Sequence, residues 1–179
     1  QFQRLLERIS ERCSIPLVVY NAPSRAGVKL RAQEICQIVD SVPSIVGVKD
    51  AAADMPDFIR MARNFGPNCT LLQALDDVFL PSLAAGAHGG ILALASVFPE
   101  RFVTIYEKWR AGAVEKAVAL QLELIPVMSA INREPMPVLV KEAMTVVGRP
   151  MGPTRPPLYL PDPEALKELR TEVERLAGT

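Results

Sequence analysis

The chain has 179 residues, near the size of one ordinary domain, of which 49% are hydrophobic and 22% charged, with twenty basic residues against twenty acidic ones. That length affords a sizeable core, while the charge balance excludes a general affinity for nucleic acid or for anionic membrane, both of which need a basic field. Cys13, Cys36 and Cys69 are odd in number and widely spaced, as for separate thiols in a reducing compartment, and no apolar run reaches bilayer length, so a soluble cytoplasmic protein is expected.

From Arg4 onward, short apolar runs alternate with amphipathic stretches. Leu17-Val18-Val19-Tyr20 follows Pro16 and stops at Asn21-Ala22-Pro23-Ser24, a strand and then a turn. Residues 30–42 carry Leu30, Ile35, Ile38 and Val39 at helical spacing. A second strand is expected over 45–49, a helix over 57–64 and a third strand over 70–74. Asp76 and Asp77 are read as caps of a helix running to Ala85, because short acidic side chains accept its free N–H groups; contact with a pocket is the other reading. A fourth strand is expected over 90–94, and Pro99 stands where prolines favour the opening of a helix. Beyond it the pattern is helical over 114–130, 138–147 and 163–176, interrupted by Pro-rich joints at 135–137 and 150–161.

Strands this apolar, alternating with helices, predict a parallel sheet covered by helices on both faces. Four such strands form either a small open sheet or half of a closed barrel. A closed (β/α) barrel takes eight strands and about 250 residues, more than this chain holds. Half a barrel leaves unpaired edges on its first and last strands. Residues 1–112 are therefore read as four parallel βα units and 113–179 as a helical extension.

In parallel βα folds, ligands bind at the C-terminal ends of strands. Tyr20 ends the first expected strand, Lys49 ends the second, and Arg25 lies in the loop after the first. Neighbouring strands run about 4.8 Å apart, so Tyr20 and Lys49 are able to converge on one small molecule. A lysine leaving the apolar run 45–48 loses solvation, which lowers its pKa and supplies the free amine that attacks a carbonyl. Each residue also has a plainer reading: a lysine reaching water, an amphipathic rim tyrosine, a solvated arginine.

The ordered combination is more specific. Tyr20-Asn21-Ala22-Pro23-Ser24-Arg25-Ala26-Gly27, then Gly47-Val48-Lys49-Asp50, then Leu71-Leu72 before an acidic turn, Ala87-His88-Gly89-Gly90-Ile91, and Glu134-Pro135 with Lys141 resemble the dihydrodipicolinate synthase / N-acetylneuraminate lyase family across essentially the whole chain. The resemblance implies strands five to eight of a (β/α)8 barrel followed by a C-terminal helical extension. It implies a class I lyase or aldolase that holds pyruvate or a related 2-keto acid as a Schiff base on Lys49, with Tyr20 shuttling protons. Arg25 would receive a carboxylate of the second, aldehyde substrate, and the backbone carbonyl of Ile91 would border the pocket. No cofactor or metal is implied, and the complete protein would be a homotetramer. Arg25 and its Pro-Ser-Arg setting favour 4-hydroxy-tetrahydrodipicolinate synthase chemistry, that is, pyruvate plus aspartate semialdehyde. N-acetylneuraminate, sugar-acid and 4-hydroxy-2-oxoglutarate aldolases of the same family stay open, as does a non-catalytic half-barrel that binds or assembles. The family's N-terminal strands, with a carboxylate-binding Gly-Thr-Thr/Ser turn and a second tyrosine, have no counterpart here, so the chain is expected to be a fragment that is inactive alone.

The sequence departs from the family pattern at Ala26 (usually Thr), Ala53 and Ala74 (often Gly), and at Met136 and Leu139 in the tail motif. These read as substrate or subfamily changes. His88, the only histidine, reads as a turn residue, and with no second histidine or cysteine cluster a zinc site is not expected. The glycine-rich 86–90 segment lacks the Lys-Ser/Thr of a P-loop and reads as a tight turn into the last strand. The charged residues of 164–175 form a solvated helix face, and Phe102, Ile105, Tyr106 and Trp109 read as packing.

Overall fold

The computed structural model describes residues 1–67, 69–159 and 161–178. Leu160, inside the expected Pro-rich joint, lies outside them. The chain divides into two compact units, Gln1–Ile91 and Leu92–Thr179.

In the first unit, helix α1 (Phe2–Arg12) precedes strand β1 (Leu17–Asn21), a single helical turn α2 (Pro23–Ala26) and α3 (Ala32–Ser41). Strand β2 (Ile45–Asp50), helix α4 (Met55–Asn64), strand β3 (Thr70–Gln73), helix α5 (Phe79–Ala84) and the short strand β4 (Gly89–Gly90) follow. The described strands form one parallel sheet in the order β1-β2-β3-β4, each beside its neighbour in sequence. Gly47 suits the close approach of β3 to β2, since a Cβ there would meet the Thr70 carbonyl oxygen at 3.0 Å. Gly27 ends α2 in the left-handed conformation (φ 68°), which a glycine adopts without strain.

The expectation of helices on both faces is corrected. Val19, Val48 and Leu71 point to one face, and Ile45 joins their cluster across a register shift near the start of β1 and β2; they share a core with Ile35 and Ile38 of α3 and Phe58 and Met61 of α4. The alternate residues point the other way, and Val18 and Tyr20 are each 50% exposed. Strand apolarity alone does not distinguish a sheet sandwiched by helices from one whose second face lines a barrel interior.

Two local expectations also change. The fourth strand was expected over 90–94, yet pairing ends at Gln73↔Gly90. β3 stops at Gln73, whose carbonyl accepts the Ile91 N–H at 2.9 Å, and the chain then turns into a 3-10 segment at Leu94–Ser96. Helix α5 starts at Phe79 with Val78 at the cap position, so Asp76 and Asp77 precede it. His88, expected as a turn residue, is structural but lies past the turn and ties the approach to β4 onto β3: its Nδ1 accepts the Leu71 N–H at 3.1 Å while its backbone N–H donates to the Leu71 carbonyl at 2.9 Å.

The second unit is helical: α6 (Pro99–Arg110), α7 (Val114–Ile131), α8 (Val138–Val146) and α9 (Pro163–Ala177). Pro99 opens α6 as expected, and Asp162 caps α9 by accepting the Glu164 and Ala165 N–H groups. Leu124, Met128 and Ile131 of α7 are buried, as are Leu139 of α8 and Leu169 and Val173 of α9. The guanidinium of Arg149 donates to the Val97 carbonyl, and that of Arg101 to the Leu176 carbonyl at 3.1 Å. No described helix is long and apolar enough to cross a membrane.

Candidate active site at the strand ends

The register pairs Tyr20 with Lys49 directly across β1 and β2. Both side chains leave the open face of the sheet, and the Lys49 Nζ lies over the Tyr20 ring, 4.5 Å from its centroid. Burial is the largest influence on this amine and lowers its pKa from the ordinary lysine value of 10.5. Two contacts act the other way, the charge of Asp76 and the negative face of the ring, each favouring the cation. Burial prevails, so the free amine is more available here than on a solvated lysine.

The other expected residues lie around this pair at different removes. Arg25 sits exposed on α2, the helical turn directly after β1. Ile91 follows β4, two strands away from Lys49, and its side chain is exposed. Asp76, read from sequence chiefly as a helix cap, is buried in the turn after β3 and acts on Lys49 through its charge. That turn is fastened by Gln73, whose Oε1 accepts the Ala74 and Leu75 N–H groups at 2.7 and 3.0 Å while its Nε2 donates to Ser82 Oγ at 2.6 Å.

Sequence reading missed a second pair, one residue further along the same strands. Asn21 and Asp50 are register partners and point to the covered face, where each is only 2% exposed. The Asn21 Nδ2 donates to Asp50 Oδ1 at 2.7 Å. Burial raises the Asp50 pKa, opposed by the Asn21 hydrogen bond and the Ala52 N–H. Their sequence signal was that each follows a candidate catalytic residue inside a motif of the family resemblance, and nothing local showed that the two would meet.

Ala53, just past β2, adopts φ 54°, a left-handed conformation that disfavours any side chain with a Cβ. Ala53→Gly is expected to raise the unfolding free energy by about 0.5–1 kcal/mol, the relief of that clash less the added freedom of the unfolded chain. Urea denaturation measures it, and a midpoint that falls instead would contradict the strain. Among the described residues no cluster of histidine, cysteine and carboxylate side chains is arranged to hold a metal.

Comparison with known proteins gives a consistent set of likenesses. Residues 3–176 match the profile of the Dihydrodipicolinate synthetase family. A curated relative, the 4-hydroxy-tetrahydrodipicolinate synthase of Methanopyrus kandleri, is 36% identical over 169 residues, covering 94% of this chain and 56% of that protein. The chain thus spans little more than half the length of such relatives. Among solved structures, the dihydrodipicolinate synthase of Thermotoga maritima superposes with a TM-score of 0.93 at 26% identity, over 98% of this chain and 60% of that one. YagE, a prophage protein of the dihydrodipicolinic acid synthase family from E. coli K12 solved in complex with pyruvate, superposes with a TM-score of 0.90 at 26% identity, again over 98% and 60%.

Proposed function

The chain belongs to the Dihydrodipicolinate synthetase family, its fold is the C-terminal half of a (β/α)8 barrel with a helical extension, and on that premise we propose that the full-length protein is a Schiff-base lyase condensing pyruvate with an aldehyde. The 4-hydroxy-tetrahydrodipicolinate synthase reaction, with aspartate semialdehyde as partner, is the reading we favour. The observation that carries it is the Lys49 amine, partly desolvated and set over the Tyr20 ring at the ends of adjacent strands.

The neutral Lys49 amine adds to C2 of pyruvate, giving a carbinolamine. Loss of its hydroxyl as water leaves an iminium, whose positive nitrogen withdraws electrons from C3. A C3 proton departs, and the resulting enamine attacks the aldehyde carbon, whose oxygen takes up a proton. Tyr20 is assigned the proton transfers through its hydroxyl. Arg25 is assigned the carboxylate of the aldehyde substrate, for which its planar fork of donors is suited. The Ile91 carbonyl is assigned to the pocket wall. Water, or the amino group brought in by aspartate semialdehyde, then adds to the imine carbon; the bond from that carbon to Nζ breaks, the new C–C product leaves, and Lys49 takes up a proton and is restored as the amine.

In this reading residues 1–112 contribute strands five to eight with their helices, and 113–179 the extension. The assembly is a cytoplasmic homotetramer, an assignment resting on family resemblance. The test is borohydride reduction of the full-length protein in pyruvate, followed by peptide mapping. One reduced pyruvyl adduct on Lys49 is expected. The trapping rate should rise with pH and level off below the ordinary lysine value of 10.5, because the depressed pKa frees the amine earlier. Absence of an adduct on Lys49 would reject the proposal.

A further inference from the structure

We propose that Asn21 and Asp50 form a positioning pair: their buried amide–carboxylate hydrogen bond, on the covered face of the sheet, holds β1 and β2 in the register that sets Tyr20 beneath the Lys49 amine. The inference rests on the imine reading above and adds to it two buried residues on the sheet face opposite the amine.

Strand alternation supplies the geometry. Because successive side chains point to opposite faces, Tyr20 and Lys49 occupy the open face while Asn21 and Asp50, the next residues, occupy the covered one. The pair is held on several sides. Asn21 Oδ1 accepts the Leu30 N–H at 3.2 Å, and its Nδ2 donates both to the Leu30 carbonyl at 3.2 Å and to Asp50 Oδ1 at 2.7 Å. Asp50 Oδ2 accepts the Ala52 N–H at 3.3 Å. The backbone ladder runs through the same row, with the Ala51 N–H donating to the Asn21 carbonyl at 2.8 Å and the Ala74 N–H to the Asp50 carbonyl at 2.9 Å.

An apolar pair would fill this space without fixing it. A slip of one residue would turn every side chain to the wrong face, and a short bond to a carboxylate, directional and costly to break once buried, forms in a single register. The Leu30 contacts fasten the far end of the segment carrying Arg25 to the same point. Reaction at a carbonyl is sensitive to such placement, a misplacement of about 1 Å costing on the order of 10²-fold in rate.

The test uses the full-length protein carrying Asn21→Ala, Asp50→Ala and the double change, with Asn21→Gln and Asp50→Glu as variants that keep both polar groups but displace them. Rates of imine trapping are measured against pyruvate concentration, well below each variant's unfolding midpoint. The rate at saturating pyruvate is expected to fall about 10- to 100-fold in each single alanine variant, with the double variant no slower than the worse single one. The pyruvate concentration at half-maximal rate should move less than about threefold, because the loss lies in orientation and not in binding. If the alanine variants do not fold, Asn21→Gln and Asp50→Glu carry the same expectation of a slowed rate. Folded variants that trap at the parental rate, or losses that simply multiply in the double variant, overturn the positioning role. A parental protein without an adduct removes the imine reading itself; a parental adduct with unaffected variants removes only this inference.

Discussion

Lys49→Ala in the full-length protein is expected to abolish the borohydride-stable pyruvyl adduct and to lower turnover by on the order of 10⁴-fold or more, since the covalent route goes with the amine. Tyr20→Phe separates the two functions assigned to the pair. Phenylalanine keeps the ring face under the ammonium but removes the hydroxyl. The imine should therefore still form on Lys49, though more slowly, while turnover falls about 10²–10⁴-fold, the usual range for a lost proton-transfer group. Mass spectrometry of trapped protein and steady-state rates give the two readouts. A Lys49→Ala protein within roughly tenfold of the parental rate, at most about 1.4 kcal/mol of barrier, leaves no room for a covalent mechanism at this residue.

Phe58→Ala is expected to destabilise the protein by about 3–5 kcal/mol, the range for deleting a buried aromatic side chain. Phe58 is 1% exposed and packs within the cluster that includes Val48, Leu71 and Ile35. It also lines the cleft that contains Asp50 and Gln73, so its loss loosens the support behind the strand ends. Against a typical total of about 5–15 kcal/mol, this is a large fraction of the stability. Its neighbour Ile59, 52% exposed on the other side of α4, provides the contrast: Ile59→Ala should stay within about 0.5 kcal/mol of the parent. Urea midpoints compare the two, and equal shifts would contradict the orientation of this helix.

The order in which buried and exposed positions alternate accounts for how much was readable beforehand. The runs 17–20, 45–49 and 70–74 matched β1, β2 and β3 to within a residue at each C-terminal end, and the three late helical stretches matched α7, α8 and α9 as closely. These periods are local properties of the chain, and so is the placement of Tyr20 and Lys49 at strand ends. β4 was overestimated because its length is set by what β3 leaves to pair with, which is a property of the neighbour. Acidic residues before a helix are usually caps, which is all that the local sequence says of Asp76; in the structure Gln73 fastens the turn after β3 and the helix starts at Phe79, beyond it.

By itself, then, the sequence determined the repeating βα units, the helical tail, and the tyrosine and lysine one residue short of consecutive strand ends, since each depends on residues close together in the chain. Only the tertiary structure decided which face of the sheet helices cover, that the amine lies on the ring face, and that Asn21 meets Asp50 behind them. Those outcomes depend on strand register and on contacts between distant segments, and no local pattern of apolar and polar residues encodes them.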